Sequence, residues 1–129
     1  MSQENVDVMR RWMEATSRGE YEAAFAEVDA EVEIDDQDIP EATGADSFHE
    51  WLARWDASWE SWRIEGVELL PSGDDKVVAL FRMIVTGRKS GVELGRDDAV
   101  LAEFRDGRIV RLGYYNDQQQ ALEAAGLRE

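Results

Sequence analysis

The sequence predicts an α+β domain, and three observations carry that prediction. Asp106-Gly107 stands between an apolar run ending at Phe104-Arg105 and a second run, Arg108-Ile109-Val110-Arg111 through Tyr114-Tyr115. The glycine supplies the positive φ of a tight turn, so the two runs read as a hairpin. Near the N-terminus, Val6, Met9, Met13 and Thr16 recur at helical spacing. Four late strand-like runs are joined by links too short for crossovers, which favours antiparallel neighbours. The early helices can then cover one face of the sheet.

The elements follow in order. Ser2 can cap the first helix, and Arg18-Gly19 ends it. A short second helix places Tyr21, Ala24, Phe25 and Val28 on one face. Glu31-Val32-Glu33-Ile34 alternates as a short strand. Residues 35–45 read as a loop, because Pro40, Gly44 and adjacent acids break both periodicities. Asp46 caps a third helix with Phe48, Leu52, Trp55 and Trp59 on one stripe and Trp51 and Trp62 beside it. Strands follow at 62–70, 75–87, 92–104 and 108–116, linked by Pro71-Ser72-Gly73-Asp74, Ser90-Gly91 and Asp106-Gly107. Asp117 with Gln120 forms the capping-box pattern of a final helix. The predicted order is ααβαββββα, without repeat or linker.

At 129 residues with 43% apolar composition, the chain is long enough for one core and reads as a single domain over 1–129. Cysteine is absent, which removes disulfides, thiol nucleophiles and Cys-based metal sites. There is neither a long apolar run nor a signal-peptide pattern, so the expectation is a soluble cytoplasmic protein with no membrane role. The net charge of −15 is uneven. Residues 1–60 hold 17 acids and 4 bases, a net of −13, while residues 61–129 hold 12 and 10, a net of −2. The acidic half repels phosphate backbones and argues against nucleic-acid partners. A solvated, solubilising face is the simpler account of those acids.

The element order, Asp106-Gly107-Arg108-Ile109-Val110 before Tyr115-Asn116-Asp117, and the ending Ala121-Leu122-Glu123-Ala124-Ala125-Gly126-Leu127 together resemble the SnoaL-like branch of the nuclear-transport-factor-2-like superfamily. Ser2-Gln3-Glu4-Asn5-Val6 and the Arg18-Gly19-Glu20 break fit as well, so the resemblance covers the whole chain. It implies a curved antiparallel sheet wrapped around a long helix, a cone with an apolar pocket open at one end. Members include ketosteroid isomerases, polyketide cyclases, epoxide hydrolases and dehydratases, commonly homodimers packed sheet to sheet. The fold therefore implies a pocket, not a reaction.

Candidate site residues come from that resemblance and from strand alternation. The isomerases carry a general base just after the first strand, which falls on Asp35 counting back from Gly44 and on Asp36 counting forward from Val32-Glu33. Both stay open, although alternation groups Asp36 with Val32 and Ile34. A carboxylate in an apolar pocket beside another acid suits proton abstraction next to a carbonyl; the alternative is two acids on a solvated loop. Spacing from Gly19 places Trp12 where the isomerases carry a phenol donor, and spacing from Phe104 places Val100 where they carry a protonated acid. An indole N–H can donate one hydrogen bond and valine none, so a dienolate loses most of its stabilisation, which argues against steroid isomerisation.

Alternation also groups Asp98 with Val100 and Tyr114 with Asn116, offering three polar groups to a pocket. Asp98 can instead pair with Arg82 or Arg96. Trp51, Trp55, Trp59 and Trp62 read first as core, with Trp55 the foremost candidate for an aromatic wall. His49 is the single histidine, and the acids of 31–38 lack the spacing of a calcium loop, so no metal is assigned. The expected ligand is a small hydrophobic or aromatic molecule, with Asp35 or Asp36 as base and no cofactor. The rival reading is a non-catalytic binding or dimerisation module.

Overall fold

In the computed structural model, residues 2–36, 39–43 and 45–127 are described, with side chains described for all of these except 2, 36, 39–43, 45–49, 51 and 52. The order is α1 (Ser2–Ser17), α2 (Tyr21–Phe25), β1 (Val28–Asp36), β2 (Ile39–Thr43), α3 (Ala45–Ser58), β3 (Ser61–Ser72), β4 (Lys76–Thr86), β5 (Glu93–Arg105), β6 (Arg108–Tyr115) and α4 (Gln118–Ala124). The α+β class and the four late strands are as expected.

The strands form one sheet in the order β2-β1-β6-β5-β4-β3. Its neighbours are antiparallel except β1 and β6, which run parallel, so the sheet is mixed rather than wholly antiparallel. The short-link argument holds for β3 to β6. It does not reach β1, whose partner β6 lies far along the chain and is free to pair in either direction. The sequence predicts loop where β2 forms. It is an edge strand, where Pro40 does not interrupt a ladder between two neighbours. Val28, expected on the second helix, opens β1 instead.

Local chemistry accounts for the joints. Gly19, at φ +75°, ends α1, and Glu20 N–H returns to the Ala15 carbonyl at 2.8 Å. Asp106 and Gly107 both have positive φ, and Arg105 pairs with Arg108 across them, the geometry of a two-residue hairpin loop. Asp117 caps α4 by accepting from Gln119 N–H at 2.9 Å.

Two cores sit on opposite faces of the sheet. On the inner face, Val6, Met9, Trp12 and Met13 of α1 meet Val32 and Ile34 of β1, Phe81 of β4, Val100 and Phe104 of β5, and Leu112 of β6. On the outer face, Ala121, Leu122 and Ala125 from the α4 end cover Val78, Ala99 and Leu101. The rest of the outer face carries ion pairs, including Arg63 with Glu65 and Glu93, Arg82 with Asp97, and Arg111 with Asp35 and Glu103.

Candidate active site

The inner core stops short of one end of the sheet and leaves a cavity with a free volume of about 50 Å³. Trp12, Met13 and Thr16 face it from α1, Trp55 from α3, Phe81 and Met83 from β4, Arg96, Asp98 and Val100 from β5, and Tyr114 from β6. Trp62, Ile64 and Tyr115 complete the described lining. This is well below the ~300 Å³ at which pockets for drug-sized ligands begin. The space is small because large aromatics fill it.

Period-2 alternation puts Phe81 and Met83 on one side of β4, and Arg96, Asp98 and Val100 on the matching side of β5. Trp55 packs edge-on against Trp59 at 6.0 Å and against Trp62 at 6.4 Å. Trp12 is tilted against Tyr114, with centroids 6.5 Å apart. Such angled contacts are the favoured aromatic geometry.

The polar part of the wall is built around Asp98. Its side chain is 10% exposed and takes a bidentate pair from Arg96, Nε to Oδ1 at 2.5 Å and Nη2 to Oδ2 at 3.1 Å. Of the two partners offered by the sequence, Arg96 is the one used, while Arg82 pairs with Asp97 at 2.8 Å. Gln118 Nε2 donates to the backbone carbonyls of Asp98 and Phe81, fastening α4 beneath this point.

A second polar joint holds the Trp55 wall. The Asp56 carboxylate accepts from Tyr21 Oη at 2.7 Å and from Trp62 Nε1 at 2.8 Å. Arg88 donates to the backbone carbonyls of Asp56 and Ala57. Burial, then the Asp56 hydrogen bond, pushes the Tyr21 phenol up to about 12.

The structure therefore brings together Trp12, Trp55, Asp98, Val100 and Tyr114, and leaves others out. Asp35 lies on the outer face, where Arg111 Nη2 donates to it at 3.2 Å, and it does not line the cavity. It shares the parity of Glu33, opposite to buried Val32 and Ile34. The side chain of Asp36 lies outside the described residues; its backbone pairs in parallel register with Tyr114. Asn116 is exposed beyond the end of β6 and is not part of the lining. The side chains of Asp46, Phe48, His49, Trp51 and Leu52 lie outside the described residues. The sequence does not single out Thr16, Met83 or, beyond its pairing with Asp98, Arg96 as cavity residues. The Arg96-x-Asp98 spacing and the i, i+4 relation of Thr16 to Trp12 were the available signals. Among the described residues, no group of three or more His, Asp or Glu is placed to hold a metal, and no helix is long and apolar enough to cross a membrane.

Solved structures share this architecture. A candidate polyketide cyclase from Xanthomonas campestris pv. campestris is 19% identical and superposes with a TM-score of 0.83, over 96% of this chain and 98% of that one. TerC, co-crystallised with polyporic acid, is 18% identical with a TM-score of 0.80, over 95% and 98% of the two chains. A protein of ketosteroid isomerase-like fold from Catenulispora acidiphila, in complex with trimethylamine, is 20% identical with a TM-score of 0.75, over 93% and 92%. At these identities the likeness shows the fold, which is nuclear-transport-factor-2-like. No curated protein matches the chain. Residues 9–112 match the SnoaL-like domain, and the chain belongs to that family.

Proposed function

We propose that this domain binds a small hydrophobic or aromatic molecule in the cavity and performs cofactor-free proton transfer on it, of the isomerase, cyclase or dehydratase kind. The observation that carries the reading is the wall itself: aromatic side chains on several sides and one bidentate ion pair whose carboxylate is buried. A mostly apolar site with a few convergent polar groups is what small-molecule recognition requires. Two proteins of the same fold were crystallised with small molecules, in keeping with it.

In this reading Asp36 is the base, because its register beside Tyr114 sets it level with a cavity residue. Asp98 is the weaker candidate, since both of its carboxylate oxygens are already engaged by the Arg96 guanidinium. Its part is to orient the ligand with Tyr114, while Trp12 and Trp55 supply the flat walls. A ring-sized ligand enters by displacing Trp55 or Trp62 from the free volume.

A thermal-shift screen of planar hydrophobic compounds tests binding; a ligand at a hundred times its Kd adds about 2.7 kcal/mol. Hits are then assayed for turnover with wild type and Asp36→Asn. Turnover that falls at least ~100-fold while binding persists supports the base. Undiminished turnover removes Asp36 from the mechanism, and binding without turnover in wild type leaves a binding module.

We also propose a homodimer through the part of the outer face that α4 leaves open. A sedimentation mass of 14.7 kDa at micromolar concentration would rule it out.

A further inference from the structure

Thr16 sits on α1 one turn after Trp12, and both line the cavity. It is 6% exposed. Its Oγ1 is closed to solvent and makes no hydrogen bond. A threonine inside a helix ordinarily settles its hydroxyl on a carbonyl three or four residues back. Here it does not, and a buried hydroxyl left without a partner is costly enough to need an explanation. Turning χ1 by one rotamer exchanges hydroxyl for methyl without moving the backbone, so the group can be offered to an occupant of the cavity.

The rest of the wall limits what that occupant is. Arg96 and Asp98 are the only charged residues among the described lining, and they neutralise each other. An ionic ligand would have to break that pair or be buried without a counter-charge. Trp12, Trp55, Trp62 and Phe81 offer ring faces and edges. We infer that Thr16 is the hydrogen-bonding anchor on the α1 wall, and that the ligand is an uncharged ring compound carrying a hydroxyl or keto oxygen. This deepens the proposed function and rests on the cavity being the binding site.

The test compares phenol with toluene, which match in shape and differ by the hydroxyl, binding to wild type, Thr16→Val and Thr16→Ser in chemical-shift titrations. Wild type should prefer phenol about fivefold, the worth of one neutral hydrogen bond. Thr16→Val should bind the two equally, and Thr16→Ser should restore the preference. Serine also keeps the test readable if the valine variant does not fold. A preference that survives in Thr16→Val overturns the role of Thr16 while leaving the cavity as the site. Failure of wild type to bind either probe overturns the binding site and the anchor together.

Discussion

Replacing Asp56 with alanine should destabilise the domain by about 2–4 kcal/mol and loosen the aromatic side of the cavity. Its carboxylate accepts from Tyr21 Oη and Trp62 Nε1, joining α2, α3 and β3. Hydrogen bonds to a charged acceptor are worth ~1.5–3 kcal/mol each, and partial exposure keeps the sum toward the lower end. The neighbouring residue, Trp55, leans on Trp62, so freeing the indole N–H also frees the wall. A urea melt reads the first effect and acrylamide quenching of tryptophan fluorescence the second. An unchanged midpoint with unchanged quenching would show that the joint is ornamental.

The same joint has a pH signature. The Tyr21 phenol lies at about 12 in the folded chain against an ordinary value of 10.0. Raising the pKa of a group that is neutral when protonated favours the neutral form in the fold. Its contribution is therefore complete below about pH 10 and is lost as pH rises toward about 12. Tyr21 should ionise late in a phenolate absorbance titration. That late step should move toward the ordinary value in Asp56→Ala, because the remaining cause of the shift is burial alone.

What the sequence reveals about this fold divides along physical lines. Asp106-Gly107, the Arg18-Gly19 break and the Asp117 cap are local devices whose chemistry acts within a few residues, and each is where the pattern puts it. The parallel pairing of β1 with β6 depends on long-range closure, which no local pattern encodes. β2 is obscured because its proline, forbidden in a central strand, is tolerated at an edge. The cavity residues divide in the same way. Asp98, Val100 and Tyr114 follow from strand alternation once an inner face is assigned, and Trp12 from the family resemblance. Asp35 and Asn116 sit at strand ends, where one residue of register decides between cavity and solvent. Thr16 is faint as a site residue in the sequence, where its i, i+4 relation to Trp12 reads as packing on a buried helical stripe; its idle hydroxyl is what sets it apart.

Removing Arg96 should cost about 2–3 kcal/mol at neutral pH, although its guanidinium is half exposed. Arg96→Ala takes two charge-assisted hydrogen bonds from a carboxylate that is 10% exposed and walled by apolar side chains. Breaking a fully buried pair from one side costs ~3–5 kcal/mol, and solvent at the Arg96 end reduces that figure. Melting temperatures of wild type and Arg96→Ala read the loss directly. Replacing both partners, as Arg96→Met with Asp98→Leu, should recover most of the loss, because an apolar pair of similar volume carries no desolvation cost. If the double variant is stable but binds no cavity ligand, the pair is present for recognition rather than for the fold. A double variant as destabilised as Arg96→Ala would instead show that lost packing of the arginine stem, and not the unpaired charge of Asp98, sets the cost.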